Sequence, residues 1–308
     1  MHRMNVTLRQ LRVFRAVALE RNFSRAGDGI GLTQPAVSRS ILELESQLGV
    51  KLLDRTTREV ALTEAGQALA LRLDRLLDEL DQMLLDVGGL ARARRGKVRV
   101  ASSPTLSANL MPQCIAACGE REPGIQLVLL DRIQQDVLGS VRAGEVDFGV
   151  VIEPQDADDL HQEPILQDPF VLVAPENHPL AKAASVRWPA LSGRPLVLLD
   201  HASGSRRLID AALERHGARC EVAQELGHAT TVFRMIEAGI GISVMPALAL
   251  PPGGIPGLAV RPLRPTVERD IVLVHRRNRA PSPLAQRVWS LIHDVAAGMR
   301  RQQGVSPG

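Results

Sequence analysis

Gln34, Ser38 and Arg39 lie within one short stretch, Thr33-Gln34-Pro35-Ala36-Val37-Ser38-Arg39, whose residue types suit the reading of base edges. In the major groove of duplex DNA a glutamine pairs bidentately with adenine and an arginine with guanine. That chemistry needs the side chains on the first turns of a helix, where free N–H groups also face phosphates. Thr33 is placed to be the N-cap, its hydroxyl accepting from a first-turn N–H, and Pro35 falls where no intrahelical donor is needed. From Gln34 onward Val37, Ile41, Leu44 and Leu48 recur at spacings of four, three and four. This gathers them on a buried face and leaves Gln34, Ser38 and Arg39 off it.

The preceding helix is expected to begin at Ser24 as N-cap, with Phe23 outside it as a staple residue, Arg25 in its first turn, and Ala26 and Ile30 turned inward. Gly31 makes the turn. A helix after Thr7 carries Leu8, Leu11, Phe14, Val17 and Ala18 at helical spacing and completes a trihelical core. Downstream, Leu52 to Thr63 has apolar ends around a polar, basic tip containing Arg55 and Arg58, the pattern of a two-stranded wing. An arginine at such a tip suits the minor groove, where negative potential is greatest over narrow A·T-rich segments.

Phe-Ser-Arg-Ala, Leu-Thr-Gln-Pro-Ala-Val-Ser-Arg, Leu-Glu-x-x-Leu-Gly-Val-x-Leu-Leu-Asp-Arg and Leu-Thr-Glu-Ala-Gly follow one another without gaps between Leu8 and Gly66. In this order they resemble the winged helix-turn-helix of LysR-type transcriptional regulators. The resemblance implies that Gln34, Pro35, Ser38 and Arg39 approach base edges and that Arg58 reaches the minor groove. Gly27 and Gly29 depart from it, standing where the family has better helix formers. By propensity alone each costs about 1 kcal/mol.

The chain has 308 residues, which implies two or three units. Its net charge is only +3, but residues 1–66 hold ten Lys and Arg against seven Asp and Glu. Arg9, Arg12, Arg25, Arg39, Arg55 and Arg58 are thus available to phosphates, as salt-sensitive duplex binding requires. The absence of tyrosine and the few other aromatics argue against single-strand binding by base stacking. There is no apolar run long enough to span a membrane and no signal-peptide pattern, so a cytoplasmic protein is expected. Cys114, Cys118 and Cys220 form neither a disulfide framework nor a zinc spacing, and Cys114 and Cys118, one helical turn apart, read as core. No catalytic motif, metal-ligand spacing or cofactor-binding glycine loop is present, so neither an enzyme nor a cofactor is expected.

After Thr63 no proline occurs until Pro104, and Leu69, Leu73, Leu76, Leu80, Met83 and Val87 form a heptad seam. Two readings fit it: a helix paired with that of a second subunit, or an amphipathic helix folded onto its own domain. The resemblance favours the first, since LysR-type proteins pair subunits antiparallel through this helix. A two-fold pair implies an inverted-repeat DNA site. Gly88, Gly89 and Arg92 to Gly96 supply the end of the helix and a hinge.

From Lys97 the pattern alternates. Val98–Ala101 reads as a strand, Ser103–Cys118 as one helix, Ile125–Leu130 as a strand, Gln134–Ala143 as a helix and Val146–Ile152 as a strand, hence a parallel α/β sheet. A second unit starts near Phe170, with strands at Pro195–Leu199, Glu221–Gln224 and Gly241–Met245 and helices after Ser205 and from Thr230 to Ala238. A strand at Ile271 and a helix from Pro283 to Ala297 close the chain. Ligands of such sheets bind beyond the carboxyl ends of the strands. Ser102, Ser103 and Thr105 stand there in one lobe, and Ser203, Ser205, Arg206 and Thr230 in the other. Hydroxyls and one arginine suit a small organic anion, a carboxylate above all, which Arg206 would hold bidentately. Ser103, Ser205 and Thr230 read equally as N-caps, and Arg206 as a solvated charge.

Leu-x-x-x-Val-Arg-Ala-Gly-Glu-Val-Asp-Phe-Gly-Val and Ala-Gly-Ile-Gly-Ile-Ser-Val-Met-Pro are similar to segments of the LysR-type effector domain, which has a periplasmic-binding-protein-like fold. The resemblance implies an effector held at Ser103, Thr105, Ser205 and Thr230. The expected architecture is thus an α+β winged helix-turn-helix domain over residues 1–66 and a linker helix with hinge over 67–95. An α/β two-lobed effector domain follows over 96–308, lobe I being 96–167 with 268–308 and lobe II 168–267. The function expected is sequence-specific regulation of transcription by a homodimer or homotetramer that senses a small molecule, with RNA polymerase as a further candidate partner.

Overall fold

Thr7 opens the first helix of the computed structural model by a capping box, its hydroxyl accepting from Gln10 N while the Gln10 side chain accepts from Thr7 N. The structure describes residues 5–55, 60–87, 96–251 and 253–303. Contacts divide the chain into a unit of residues 1–93 and a unit of residues 94–308.

In the first unit α1 (Leu8–Glu20), α2 (Phe23–Ile30) and α3 (Gln34–Leu48) precede a hairpin of β1 (Leu53–Arg55) and β2 (Val60–Leu62), and α4 (Glu64–Val87) follows. Val13, Phe14 and Val17 meet Ala26, Val37, Ile41 and Leu44 in one core. Leu8, the first residue of α1, and Ile30, the last of α2, are expected inside but are exposed. The Glu45 carboxylate accepts from Leu52 N (2.8 Å) and Leu53 N (3.1 Å), tying α3 to the wing. Thr63 Oγ1 donates to Lys51 O and accepts from Gly66 N, so it caps α4 while holding the other end of the hairpin. Gly66 is obligatory there: a Cβ would stand 2.0 Å from Leu52 O.

The second unit opens with β3 (Gly96–Ser102), α5 (Pro104–Asn109), α6 (Met111–Arg121), β4 (Ile125–Asp131), α7 (Gln134–Ala143) and β5 (Phe148–Ile152). The single helix expected over 103–118 is broken at Leu110, where Pro112 lacks the N–H that would carry the ladder through. Next come β6 (Leu160–Pro175), β7 (Val186–Arg187), β8 (Pro195–Leu199), α8 (Arg206–Arg215), β9 (Glu221–Leu226), α9 (Ala229–Glu237) and β10 (Ser243–Pro246). The chain ends through β11 (Leu258–Arg264), β12 (Glu268–Arg276) and α10 (Pro283–Gln303). β11 has no counterpart in the sequence reading, since Pro262 and two arginines obscure its alternation.

The strand order β4-β3-β5-β12-β6-β11-β7 makes β6 the strand that passes from lobe to lobe, and the chain returns between β11 and β12. The first half of β6 pairs with β12 in one lobe, and its second half with β10 and β11 in the other. At the crossing Asp168 faces Arg269 in register. Both are fully buried, with Arg269 Nε and Nη2 at 2.9 and 2.8 Å from Asp168 Oδ2. No helix among the described residues is long and apolar enough to cross a membrane.

Candidate functional site

Val37, Ile41 and Leu44 carry α3 into the core, and this leaves Gln34, Pro35, Ala36 and Arg39 exposed and Ser38 half-buried on the opposite face. Arg39 is 84% exposed, and its Nε lies 3.4 Å from the Glu43 carboxylate, a solvated pair that restrains it little. Leu42 shares this face, an apolar group suited to a thymine methyl. Its signal in the sequence was its misfit with the Val37-Ile41-Leu44 stripe.

Two expected caps are corrected. Asn22, not Ser24, caps α2: its side chain accepts from Ser24 N and Arg25 N at 2.9 and 3.0 Å. Phe23 is therefore helical rather than a staple outside the helix. Thr33 occupies the N-cap position of α3, but its hydroxyl makes no capping bond, and the residue is exposed. Ser24 and Arg25 are exposed, and Arg25 donates to Glu20 O at 2.8 Å. Arg58 and the side chain of Arg55 lie outside the described residues.

The seam residues of α4 do not share one environment. Leu73 is buried and Leu69 half-buried against the winged core, but Leu76 is 56% exposed while its neighbour Leu77 is 2% exposed. Leu80 is half-buried, and the side chains of Met83 and Val87 lie outside the described residues. The apolar stripe thus runs Leu73, Leu77, Leu80, Leu84. Its first half serves the core of its own domain, and Leu84 is 58% exposed.

In the second unit a cavity of about 490 Å³ opens between the lobes, within the range of small-molecule sites. Ser103 and Thr105 after β3, Ser203 after β8 and Thr230 in α9 line it. Ser103 is 4% exposed, and its Oγ has no hydrogen-bond partner among the described residues. An orphan hydroxyl in a cavity wall is a group a ligand would satisfy.

Ser102, Ser205 and Arg206 are not on the wall. Ser102 is fully buried, its carbonyl accepting from Ser107 Oγ. Ser205 Oγ accepts from Arg269 Nη1 at 2.6 Å and so belongs to the crossing network. Arg206 is held by Asp210 (2.9 Å), Glu225 (2.7 Å) and Leu199 O (3.0 Å). Burial alone would lower its pKa, but the bonds to Asp210 and Glu225 outweigh that and hold the guanidinium above its ordinary value. It is neither a solvated charge nor a free clamp for a carboxylate. The sequence reading missed Asn109, Asp131, Asp200 and His228, which also line the cavity.

The three thiols are unsuited to redox sensing. Burial pushes Cys114 up to about 12 and also raises Cys118 and Cys220. In native protein at neutral pH, Ellman's reagent is expected to leave Cys114 and Cys118 unreacted while all three titrate in guanidinium. Prompt native labelling of either would refute this.

Residues 8–67 match the model described as the bacterial regulatory helix-turn-helix protein of the lysR family, and residues 91–297 that of the LysR substrate binding domain. An uncharacterized HTH-type transcriptional regulator of Shigella flexneri, YfeR, is 56% identical over 292 residues, 94% of each chain. Among solved structures, a full-length OxyR variant from Pseudomonas aeruginosa aligns with TM-score 0.70 and 25% identity over 94% of this chain and 97% of that one. The regulatory domain of Synechocystis CcmR, in complex with 2-PG, aligns with TM-score 0.61 and 24% identity over 66% of this chain and 98% of that one.

Proposed function

This chain belongs to the LysR family of bacterial transcriptional regulators, and on that premise we propose that it reads a specific duplex sequence through α3 and adjusts its grip to a small effector between the lobes. The observation that carries the reading is the α3 face itself. Gln34, Pro35, Ser38 and Arg39 gain nothing for the core and are left where major-groove edges would meet them. Arg55 and Arg58 of the wing, with Ser24, Arg25 and Thr33 at the two helix N-termini, are assigned to phosphates and the minor groove. The domains act in the order proposed from the sequence: reader over 1–66, linker over 67–95, effector domain over 96–308. α4 pairs subunits through Leu76 and Leu80 and the seam beyond them, giving a cytoplasmic homodimer or homotetramer on an inverted-repeat site, with RNA polymerase a further partner.

The effector of this reading is a small organic anion. With Arg206 and Ser205 committed elsewhere, its carboxylate is assigned to the hydroxyls of Ser103, Thr105, Ser203 and Thr230. Closure of the lobes around it changes the spacing of the paired readers only if the effector binds the two states unequally.

The test is a fluorescence-anisotropy titration at fixed salt against the chain's own upstream DNA and a scrambled duplex. Each of Arg39→Ala and Gln34→Ala is expected to cost about 1–3 kcal/mol of specific binding. Affinity for the scrambled duplex should stay nearly unchanged in Gln34→Ala and fall by less than the specific affinity in Arg39→Ala, which also loses a charge. Equal binding to both duplexes by the unaltered protein would overturn the reading.

A further inference from the structure

The cavity wall carries a charge pattern at odds with a purely anionic ligand. Two carboxylates line it: Asp131 at the end of β4 in one lobe and Asp200 just after β8 in the other. Among the described residues no lysine or arginine lines it, and His228 is its one basic side chain. The Asp131 carboxylate accepts no hydrogen bond among the described residues. Asp200 Oδ1 accepts from Ala202 N at 3.0 Å, and among the described residues Oδ2 has no donor. A cavity of 490 Å³ is roughly 10 Å across, about one Debye length, so a ligand inside it feels both charges. A ligand with negative charge alone would meet like charge from both lobes, which costs it affinity.

The same wall also offers the opposite chemistry. The Ser103 Oγ is buried without a partner, and the hydroxyls of Thr105, Ser203 and Thr230 accompany it. Hydroxyls receive a carboxylate, whereas free carboxylates need a donor with positive charge.

We infer that the effector is a small zwitterion of the amino-acid class, its ammonium group donating to Asp131 and Asp200 and its carboxylate accepting from the serine and threonine hydroxyls. The assignment rests on the reading of this cavity as the seat of a small carboxylate. It places one aspartate on each lobe, so the ammonium group adds a second bridge to the one the carboxylate makes through Ser103 and Thr105 on one lobe and Ser203 and Thr230 on the other. A carboxylate lacking the amine keeps only the hydroxyl bridge.

The test is isothermal titration calorimetry on the full chain at pH 8, where an ordinary imidazole is neutral. The probes are the twenty common α-amino acids, their α-hydroxy analogues, and the corresponding amines lacking the carboxyl group. At least one amino acid is expected to bind about tenfold or more tightly than both its hydroxy analogue and its amine, as loss of a charge-assisted contact predicts. In the Asp131→Asn, Asp200→Asn double variant, with its fold checked by circular dichroism, that preference is expected to vanish. Its affinity for the anionic hydroxy analogue should be unchanged or higher, because the like charge which that ligand met is gone. Hydroxy acids binding as tightly as amino acids to both proteins would overturn the zwitterion and leave the carboxylate reading standing. Amines binding as tightly as amino acids would overturn the carboxylate reading as well. Failure of every probe to bind overturns both.

Discussion

Substitution of Asp168 by alanine is expected to lower the stability of the effector unit by about 3–5 kcal/mol. Asp168 Oδ2 receives Arg269 Nε and faces Nη2, while Oδ1 accepts from Leu248 N at 2.9 Å. Burial already pushes the Arg269 guanidinium below its ordinary pKa, and Asp168 opposes that shift. Alanine removes the opposition, strands a fully buried cation and orphans the Leu248 amide in one step. Both tryptophans of the chain, Trp188 and Trp289, lie in this unit, so urea unfolding followed by their fluorescence reports it selectively. The Asp168→Leu, Arg269→Met double variant is expected to recover most of the loss, because two well-packed apolar groups replace a pair whose desolvation is nearly as large as its attraction. A single-variant loss below about 1 kcal/mol would mean that water reaches the pair, and would refute its role.

The two glycines of α2 are expected to respond in opposite directions. A Cβ at Gly27 would stand 2.4 Å from the carbonyl oxygen of Leu32, backbone that cannot swing aside, and 3.4 Å from Val37 Cγ2. Leu32 is also bound to Gly27 O through its amide at 2.9 Å, so the turn into α3 is seated directly on this residue. Gly27→Ala therefore gains about 1 kcal/mol of helix propensity and loses more to displacement of that turn, a net cost of about 1–3 kcal/mol with weaker operator binding. Gly29 meets nothing within 4 Å of its would-be Cβ, and Gly29→Ala is expected to stabilise the unit by up to about 1 kcal/mol. Hydrogen exchange of the α1 and α3 amides in full-length protein measures both. Equal effects at the two positions would refute the distinction. The propensity argument that treats Gly27 and Gly29 alike therefore fails at Gly27, where close backbone approach outweighs it.

What could be read from the sequence is what local periodicity dictates. The stripe Val37-Ile41-Leu44, the hairpin and the alternation of strands and helices from Lys97 to Ile152 each follow from neighbours a few residues apart. Side-chain direction at the cavity did not. Ser205 turns away because Arg269, 64 residues later, needs an acceptor, and Arg206 because Glu225 lies beside it across β9. Of the groups that commit these two residues, only Asp210, one helical turn after Arg206, lies near in the chain. Asp131 and Asp200 were legible only as polar residues closing two strands, since the fold alone brings β4 and β8 to one cavity. In α4 the paired leucines at 76 and 77 offer two seams of equal local merit, and packing on the winged core selects the one through Leu77.

That selection limits how the gene can lengthen or shorten. Leu73 and Leu77 are fixed in the winged core, so the azimuth of every later residue of α4 is set by counting from them. One codon gained or lost between Leu77 and Leu84 turns Leu84 through about 100°, off the stripe, whereas seven codons turn it through only about 20°. Length variants of this segment that keep the exposed Leu84 aligned with the buried Leu73 and Leu77 are therefore those quantised in heptads.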